Sequence, residues 1–204
     1  MDYPSIIKKS HWSDLLLPLG QYDQDQYEFA LSTTYEQFWE TCPKGEWLLH
    51  WIAQEGNTPH KTIVHAACQC ARLALPYRTD KQQRPLKCIE TTEKWCRGEA
   101  TLEEVEQVRD AAWTTAYSVA DYAADAGHAV YSAGNSAAYA AYFAAYAAAS
   151  AFAYVAYAAY AADKSETALQ KMQLQTADLV RSLIPMPTKL VDEYEHILKL
   201  KAFL

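Results

Sequence analysis

The sequence predicts an all-α protein, a single helical-bundle domain of about seven to nine helices around a central helix rich in alanine and tyrosine. Residues 136–162, SAAYAAYFAAYAAASAFAYVAYAAYAA, contain no formal charge and no helix-breaking residue. Alanine is the strongest helix former, so this tract is expected to be helical. Elsewhere apolar residues recur at helical intervals, and no segment shows the period-two alternation that is typical of a half-buried strand.

The aromatic residues of the tract share one side of the predicted helix. At about 100° per residue they fall on an arc of about 120°; they are Tyr139, Tyr142, Phe143, Tyr146, Tyr154, Tyr157 and Tyr160, with Phe152 and Val155 on the opposite side. A helix without a charged face meets water poorly, so we expect other helices to enclose it. The tyrosines would then fill gaps in the core, or alternatively line a ligand pocket.

The predicted domain covers residues 23–204. Residues 1–22 are expected to be irregular because Pro4, Pro18 and Gly20 interrupt them. They are not expected to be a signal peptide, because Lys8 and Lys9 precede only a short apolar run over residues 15–19 and Asp14 interrupts the approach to it.

Three helices are predicted in the first part of the domain. The first covers residues 24–41, where apolar side chains recur at helical spacing. The second begins near Pro43 and ends at Gly56. Thr58, which precedes a proline, is expected to be the N-cap of a third helix that runs to about Leu75.

Start and stop signals delimit the next two helices. Pro85 is suited to the first turn of a fourth helix, and Gly98 is suited to a left-handed C-terminal cap. Thr101 and Glu104 have the spacing of a capping box, which predicts the start of a fifth helix that runs to about Asp125.

Further breakers divide the C-terminal part of the chain. Gly127 and a turn at Gly134-Asn135-Ser136 are predicted to separate the preceding stretch from the alanine/tyrosine helix. After the tract, an amphipathic helix is expected from Ser165 until Pro185 stops it, and a last helix is expected over residues 190–198.

Composition and charge exclude some classes of function. The chain has 204 residues, a net charge of -7 and a pI near 5.3. This acidic balance argues against nucleic-acid binding, which needs clustered lysine and arginine. The uncharged tract is long enough to cross a bilayer, but alanine and tyrosine are poor membrane-spanning residues, so no membrane span is expected. An odd count of five cysteines without a secretory signal predicts reduced thiols and a cytoplasmic location.

No catalytic, cofactor or metal motif stands out. His65 and Cys68 have helical spacing, and other cysteines follow, but Cys68 and Cys70 are two residues apart and would point in different directions on a helix. We therefore expect buried cysteines and neither metal nor cofactor. Asp121 and Asp125 are one helical turn apart and provide the alternative of an acid–base pair, but a solvated helix face is the simpler interpretation. The sequence predicts no enzyme.

Charge is unevenly distributed along the chain. An acidic segment, residues 99–125, follows a basic segment, residues 72–97. The two segments could neutralise each other, or the acidic one could form a face for a basic protein partner. For the second case the predicted partner-binding residues are Glu99, Glu103, Glu104, Glu106 and Asp110.

A series of short motifs resembles a known family. In chain order they are Cys42-Pro43-Lys44-Gly45-Glu46-Trp47-Leu48-Leu49, Cys68-Gln69-Cys70-Ala71, Arg84-Pro85-Leu86-Lys87, Trp95-Cys96-Arg97-Gly98-Glu99-Ala100, the alanine/tyrosine tract, and Gln175-Thr176-Ala177-Asp178-Leu179-Val180-Arg181. This order is similar to that of the immunity proteins of bacterial toxin loci, the Imm-five-like family, over roughly residues 40–185. The resemblance implies a cytoplasmic, non-enzymatic, all-α protein that binds and neutralises a cognate toxin. The alternatives are a helical small-molecule binder or enzyme that uses a tyrosine-lined pocket by the central helix, and a helical scaffold without a toxin partner.

Overall fold

The protein is an all-α bundle, as the sequence predicts. The computed structural model describes residues 11–12, 24–55, 57–77, 83–116, 128–129, 132–134, 137, 151, 154–188, 192, 195–196 and 199. All regular secondary structure within these residues is helical, and none of them lies in a strand.

Two compact units make up the chain. One combines Met1–Cys42 with Met186–Leu204, and the other is Pro43–Pro185. The boundary that the sequence predicts near residue 22 falls outside the described residues, as does most of the segment 1–22.

The first unit contains two short helices where the sequence predicts one. The prediction of a continuous helix over 24–41 is wrong, because α1 is Gln24–Leu31 and α2 is Tyr35–Thr41. Thr34 caps α2: its hydroxyl accepts a hydrogen bond from the Gln37 N–H at 3.2 Å, and the Gln37 side chain accepts one from the Thr34 N–H at 3.0 Å. This reciprocal capping box restarts the chain as a separate helix.

Long-range contacts hold the first unit together. The Trp12 indole N–H donates a hydrogen bond to the Thr33 carbonyl at 2.7 Å. The rings of Trp12 and Phe38 pack edge-to-face with their centroids 5.2 Å apart. The Tyr35 hydroxyl donates to the Glu195 carboxylate at 2.8 Å. The two ends of the chain are therefore joined within this unit.

Five α-helices form the described framework of the second unit. They are α3 (Gly45–Glu55), α4 (His60–Ala74), α5 (Arg84–Arg97), α6 (Leu102–Ala116) and α7 (Glu166–Leu183), with a 3-10 turn at Leu75–Tyr77. Helix α7 packs against α3 and α4, α4 packs against α5, and α5 packs against α6. The buried core includes Leu48, Trp51, Ile52, Ile63 and Ile89.

The predicted caps of α5 and α6 are confirmed, but the cap of α4 is not. Gly98 ends α5 with a φ of 81°, and Thr101 and Glu104 form the capping box of α6. At α4 the N-cap is Pro59 and not Thr58. Because Pro59 keeps an extended ψ of 134°, the helix begins one residue later, at His60.

Gly134 lies in a buried helical segment over residues 132–134, whereas Asn135 and Ser136, the rest of the predicted turn, lie outside the described residues. A Cβ atom added to Gly134 would lie 3.2 Å from Cβ and Cγ of Arg109 on α6 and 3.3 Å from Sγ of Cys88 on α5. The missing side chain thus permits close packing of the segment 132–134 against both helices.

The described end of the alanine/tyrosine tract is a helix over residues 154–163; we call it the tract helix. Val155, Ala156, Ala158 and Ala159 are buried, whereas Tyr157 and Tyr160 are 55% and 42% exposed. The expectation that neighbouring helices enclose every side is therefore wrong here. Small side chains allow close helix packing, and the tyrosine rings project outward, where water can reach the hydroxyl groups. Tyr154 is half-buried, with its ring centroid 5.1 Å from that of His128, and Tyr139, Tyr142 and Tyr146 lie outside the described residues.

Candidate functional site

The predicted contact residues of α6 form a narrow surface. Glu103, Glu106 and Asp110 are spaced by three and four residues, which places them on one face of the helix. We call these three residues the acidic stripe. Val105, on the opposite face, is fully buried, so the stripe is directed away from the core.

Glu104 is occupied by its own helix terminus. Its carboxylate accepts hydrogen bonds from the Thr101 N–H at 2.7 Å and from the Thr101 hydroxyl at 3.1 Å. These bonds lower the pKa of Glu104, with the backbone N–H as the largest cause. Glu104 therefore stabilises the first turn of α6, and a partner would have to compete with the cap for its carboxylate.

Glu99 is paired with a base at the end of α5. Arg97 donates to one Glu99 oxygen through Nε at 3.0 Å and Nη2 at 2.8 Å, and this pair lowers the pKa of Glu99. The charge of Lys94 contributes to the lowered pKa of both Glu99 and Glu104. At the turn between α5 and α6, the basic and acidic segments thus neutralise each other.

Most of the negative charge of the acidic stripe is not paired with a described basic side chain. Arg109 donates to one Asp110 oxygen through Nε at 2.9 Å and Nη2 at 2.8 Å, but the Asp110 side chain stays 67% exposed. Within the described part of the chain, the side chains of Glu103 and Glu106 make no hydrogen bond or ion pair. Of the five predicted contact residues, these two carboxylates are the ones that a basic partner would meet uncompensated.

The motifs that carry the family resemblance lie mainly in the core. Trp47, Leu48 and Leu49 on α3 are buried, as are Cys68 and Cys70 on α4. The backbone N–H of Gly45 in the first motif donates to the hydroxyl of Thr176 in the last motif at 3.4 Å. The first, second and last motifs therefore contribute to the core of the second unit, whereas the motif over residues 95–100 contains no buried residue and includes Glu99 at the turn before α6.

An ion pair between α4 and α5 was not predicted. Glu93 accepts hydrogen bonds from Arg72 Nε at 2.8 Å, from Arg72 Nη2 at 2.7 Å and from Gln69 Nε2 at 3.0 Å. The Arg72 guanidinium is the largest cause of the lowered pKa of Glu93. Because the Glu93 side chain is only 12% exposed, we assign this cluster to helix packing and not to ligand binding. The spacing of Gln69 and Arg72 on one helix face was the available signal.

The cysteine thiols are shielded from reaction. All five are free, four are buried and Cys96 is half-buried. Burial is the main cause that raises the pKa of Cys88 to about 12 and of Cys96 to about 11, and it also raises the pKa values of Cys68 and Cys70. The thiolate is the reactive form and the metal ligand, so these cysteines are poorly suited to either role. Among the described residues, no group of three His, Cys, Asp or Glu side chains is arranged to hold a metal ion.

A groove of about 480 Å³ lies between the tract helix, the N-terminal half of α7 and the 3-10 turn. Ala159, Ala168 and Met172 supply its apolar surface, and its polar lining consists of Tyr77, Asp163, Thr167, Lys171 and Gln175. A groove therefore lies beside the tract helix, but its described lining is not the tyrosine-lined pocket that the alternative function predicts. Its described tyrosine is Tyr77 and not one of the tract tyrosines.

Comparison of the chain with protein-family models, with curated proteins and with solved structures finds no match. Within the described segments, no helix has both the length and the hydropathy needed to cross a membrane. The functional argument therefore rests on the residues themselves.

Proposed function

We propose that this protein is a cytoplasmic, non-enzymatic immunity protein that binds and neutralises a cognate, basic bacterial toxin. The resemblance of its ordered motifs to the Imm-five-like family supports the proposal. The observation that carries it is the acidic stripe, where the exposed Glu103 and the half-buried Glu106 make no hydrogen bond or ion pair with any other described residue.

The acidic stripe has the properties of a steering surface. Exposed charge of one sign raises the rate at which a partner of opposite charge associates, and it disfavours partners of the same sign. The Thr101–Glu104 capping box stabilises the start of α6, and buried Val105 anchors the helix, so the stripe is presented on a rigid element. A preformed surface loses little conformational entropy when a partner binds.

A charge-matched pair of double variants tests this role. Glu103→Lys with Glu106→Lys alters the stripe, whereas Glu40→Lys with Glu90→Lys makes the same charge change at exposed residues of α2 and α5. Each variant is co-expressed with the product of the neighbouring gene, and cell survival and complex recovery are measured. We expect the stripe variant to lose protection and the control variant to keep it, with both folded by circular dichroism.

Two results would contradict the proposal. The neighbouring gene product could be harmless in cells that lack this protein. In that case the neighbouring gene would not encode a toxin that this protein has to neutralise. Alternatively, the stripe variant could fold and protect cells as well as the control, which would remove the acidic stripe as the contact surface.

The groove favours a second candidate function, that of a helical small-molecule binder. It combines an apolar surface with polar side chains from three elements, which is the usual composition of ligand sites. Ala168→Trp would fill this groove without changing the charge. A groove variant that still protects cells would separate the two functions, because toxin binding by α6 does not need an open groove.

A further inference from the structure

The groove beside the tract helix has the size and the lining of a small-molecule site. Its volume of about 480 Å³ lies within the range of about 300–1,000 Å³ that is common for such sites. Ala159 and Met172 are buried at its base, and Tyr77 provides an aromatic wall. An apolar ligand body could therefore pack against this surface.

The polar lining of the groove is unused by the described part of the protein. Within that part, the side chains of Tyr77, Asp163, Thr167, Lys171 and Gln175 make no hydrogen bond or ion pair. The Asp163 carboxylate and the Lys171 ammonium do not pair with each other, so their charged atoms are more than 4.0 Å apart. Both side chains are exposed, so a ligand that pairs with them would replace water and no hydrogen bond or ion pair among the described residues.

We propose that this groove binds a small zwitterionic ligand of the amino-acid class. The ligand ammonium lies against Asp163, its carboxylate lies against Lys171, and its side chain covers Met172 and Ala159. This inference rests on the second candidate function and is independent of toxin immunity.

The paired charges disfavour the other simple ligand classes. A ligand with only a negative charge is attracted by Lys171 but repelled by the carboxylate of Asp163. A ligand with only a positive charge is attracted by Asp163 but repelled by Lys171. An uncharged apolar ligand would cover both charged groups without replacing their water, which is unfavourable. A zwitterion satisfies both groups at once.

Methionine methyl groups provide a direct assay on the intact chain. The sequence has three methionines; Met172 lies in the groove, and Met186 belongs to the other unit and is the internal control. With methyl-labelled methionine, the probe is L-phenylalanine, whose ring would shift the Met172 resonance. 3-Phenylpropionate and 2-phenylethylamine each lack one of the two charges. We expect a saturable Met172 shift that is tightest for L-phenylalanine, with Met186 unchanged.

Variants then assign each charge. Asp163→Asn and Lys171→Gln should each weaken L-phenylalanine binding roughly two- to fivefold, the range expected for one solvent-exposed ion pair. In Asp163→Asn, the ligand ammonium has lost its partner, so its removal should no longer lower the affinity. L-Phenylalanine and 3-phenylpropionate should then bind this variant with similar affinity. Glu90→Gln and Lys87→Gln make the same charge changes on exposed residues of α5 and should leave binding unaffected.

Three outcomes would overturn the inference. Tighter binding of either singly charged analogue would exclude the zwitterionic class while retaining the groove as a ligand site. Absence of any Met172 shift with all three probes would remove both the ligand class and the second candidate function. Equal effects of the groove variants and the α5 controls would show that binding depends on net charge and not on this groove.

Discussion

The protein should lose stability between pH 6.5 and pH 4 because of His50. This residue lies on α3 between the buried Leu49 and Trp51. Burial lowers the pKa of His50 from 6.5 to about 4. Between these two values the unfolded chain binds a proton at His50 and the folded chain does not. The free energy of unfolding therefore falls as the pH falls through this window, and it is fully retained above pH 6.5.

The magnitude follows from the difference in pKa. One pKa unit corresponds to about 1.4 kcal/mol, so a shift from 6.5 to about 4 gives an upper limit of about 3.5 kcal/mol. This is a large part of the stability of an ordinary domain, which is about 5–15 kcal/mol. Glu93, Glu99 and Glu104, whose pKa values are lowered by their partners, lose their contribution only below their ordinary pKa of 4.5. Among the described groups with shifted pKa values, His50 therefore dominates the change in stability between about pH 6.5 and pH 5.

Urea unfolding followed by circular dichroism at several pH values between about 7 and 4.5 tests this reasoning. We expect the native protein to lose about 2–3 kcal/mol across this range, and His50→Gln to lose much less. His196→Gln, at an exposed histidine, is the matched control and should keep the native slope. A flat profile for the native protein, or an equal slope in His50→Gln, would refute the account of His50.

Three further predictions concern packing, backbone conformation and thiol reactivity. Gly134→Val should destabilise the protein by about 2 kcal/mol in urea unfolding, because its Cβ would meet Arg109 and Cys88 at 3.2–3.3 Å; an unchanged midpoint would contradict the close packing. Lys164→Gly should raise the free energy of unfolding by about 1 kcal/mol, because Lys164 has a φ of 48°, which glycine adopts without strain; a loss of stability would be inconsistent with this conformation. Iodoacetamide should modify Cys96 first in the native protein, as mass spectrometry can measure, because the other thiols are buried; earlier labelling of Cys68 or Cys70 would disprove that order.

Local signals in the sequence predicted local structure well. Gly98, Thr101 and Glu104 act within one helical turn of their own positions, so their roles as caps could be predicted without knowledge of the fold. The break before α2 was predictable in the same way, because Thr34 and Gln37 have capping-box spacing. It was missed because apolar residues keep their helical spacing across the break.

Features that depend on packing could not be predicted. Composition does not determine which face of an alanine/tyrosine helix is buried, because both residue types are compatible with a core; the structure buries Ala159 and exposes Tyr157. Gly134 has the sequence context of a turn, and only the nearness of Arg109 and Cys88 explains it as a packing glycine.

The two candidate sites also differ in how far local sequence patterns could predict them. The acidic stripe lies on one helix, and its three-and-four spacing can be read from the sequence. The sequence leaves open whether the acidic segment is neutralised within the protein or faces a partner, and the bonds of Glu104 within the protein belong to the first alternative. The groove brings Tyr77 together with Asp163 and Lys171, which are more than 80 residues further along the chain. No local pattern connects such residues.

The association rate of this protein with the toxin encoded beside it tests the proposed function most directly. Exposed charges are screened beyond about 10 Å at about 0.1 M salt, so steered association should slow by about tenfold or more between about 0.02 M and 0.5 M salt. In the Glu103→Lys, Glu106→Lys variant the low-salt rate should fall towards the high-salt rate of the native protein, whereas the Glu40→Lys, Glu90→Lys control should retain most of the salt dependence. An association rate that is unaffected by salt, or that both double variants lower equally, would contradict recognition of a basic toxin by the acidic stripe.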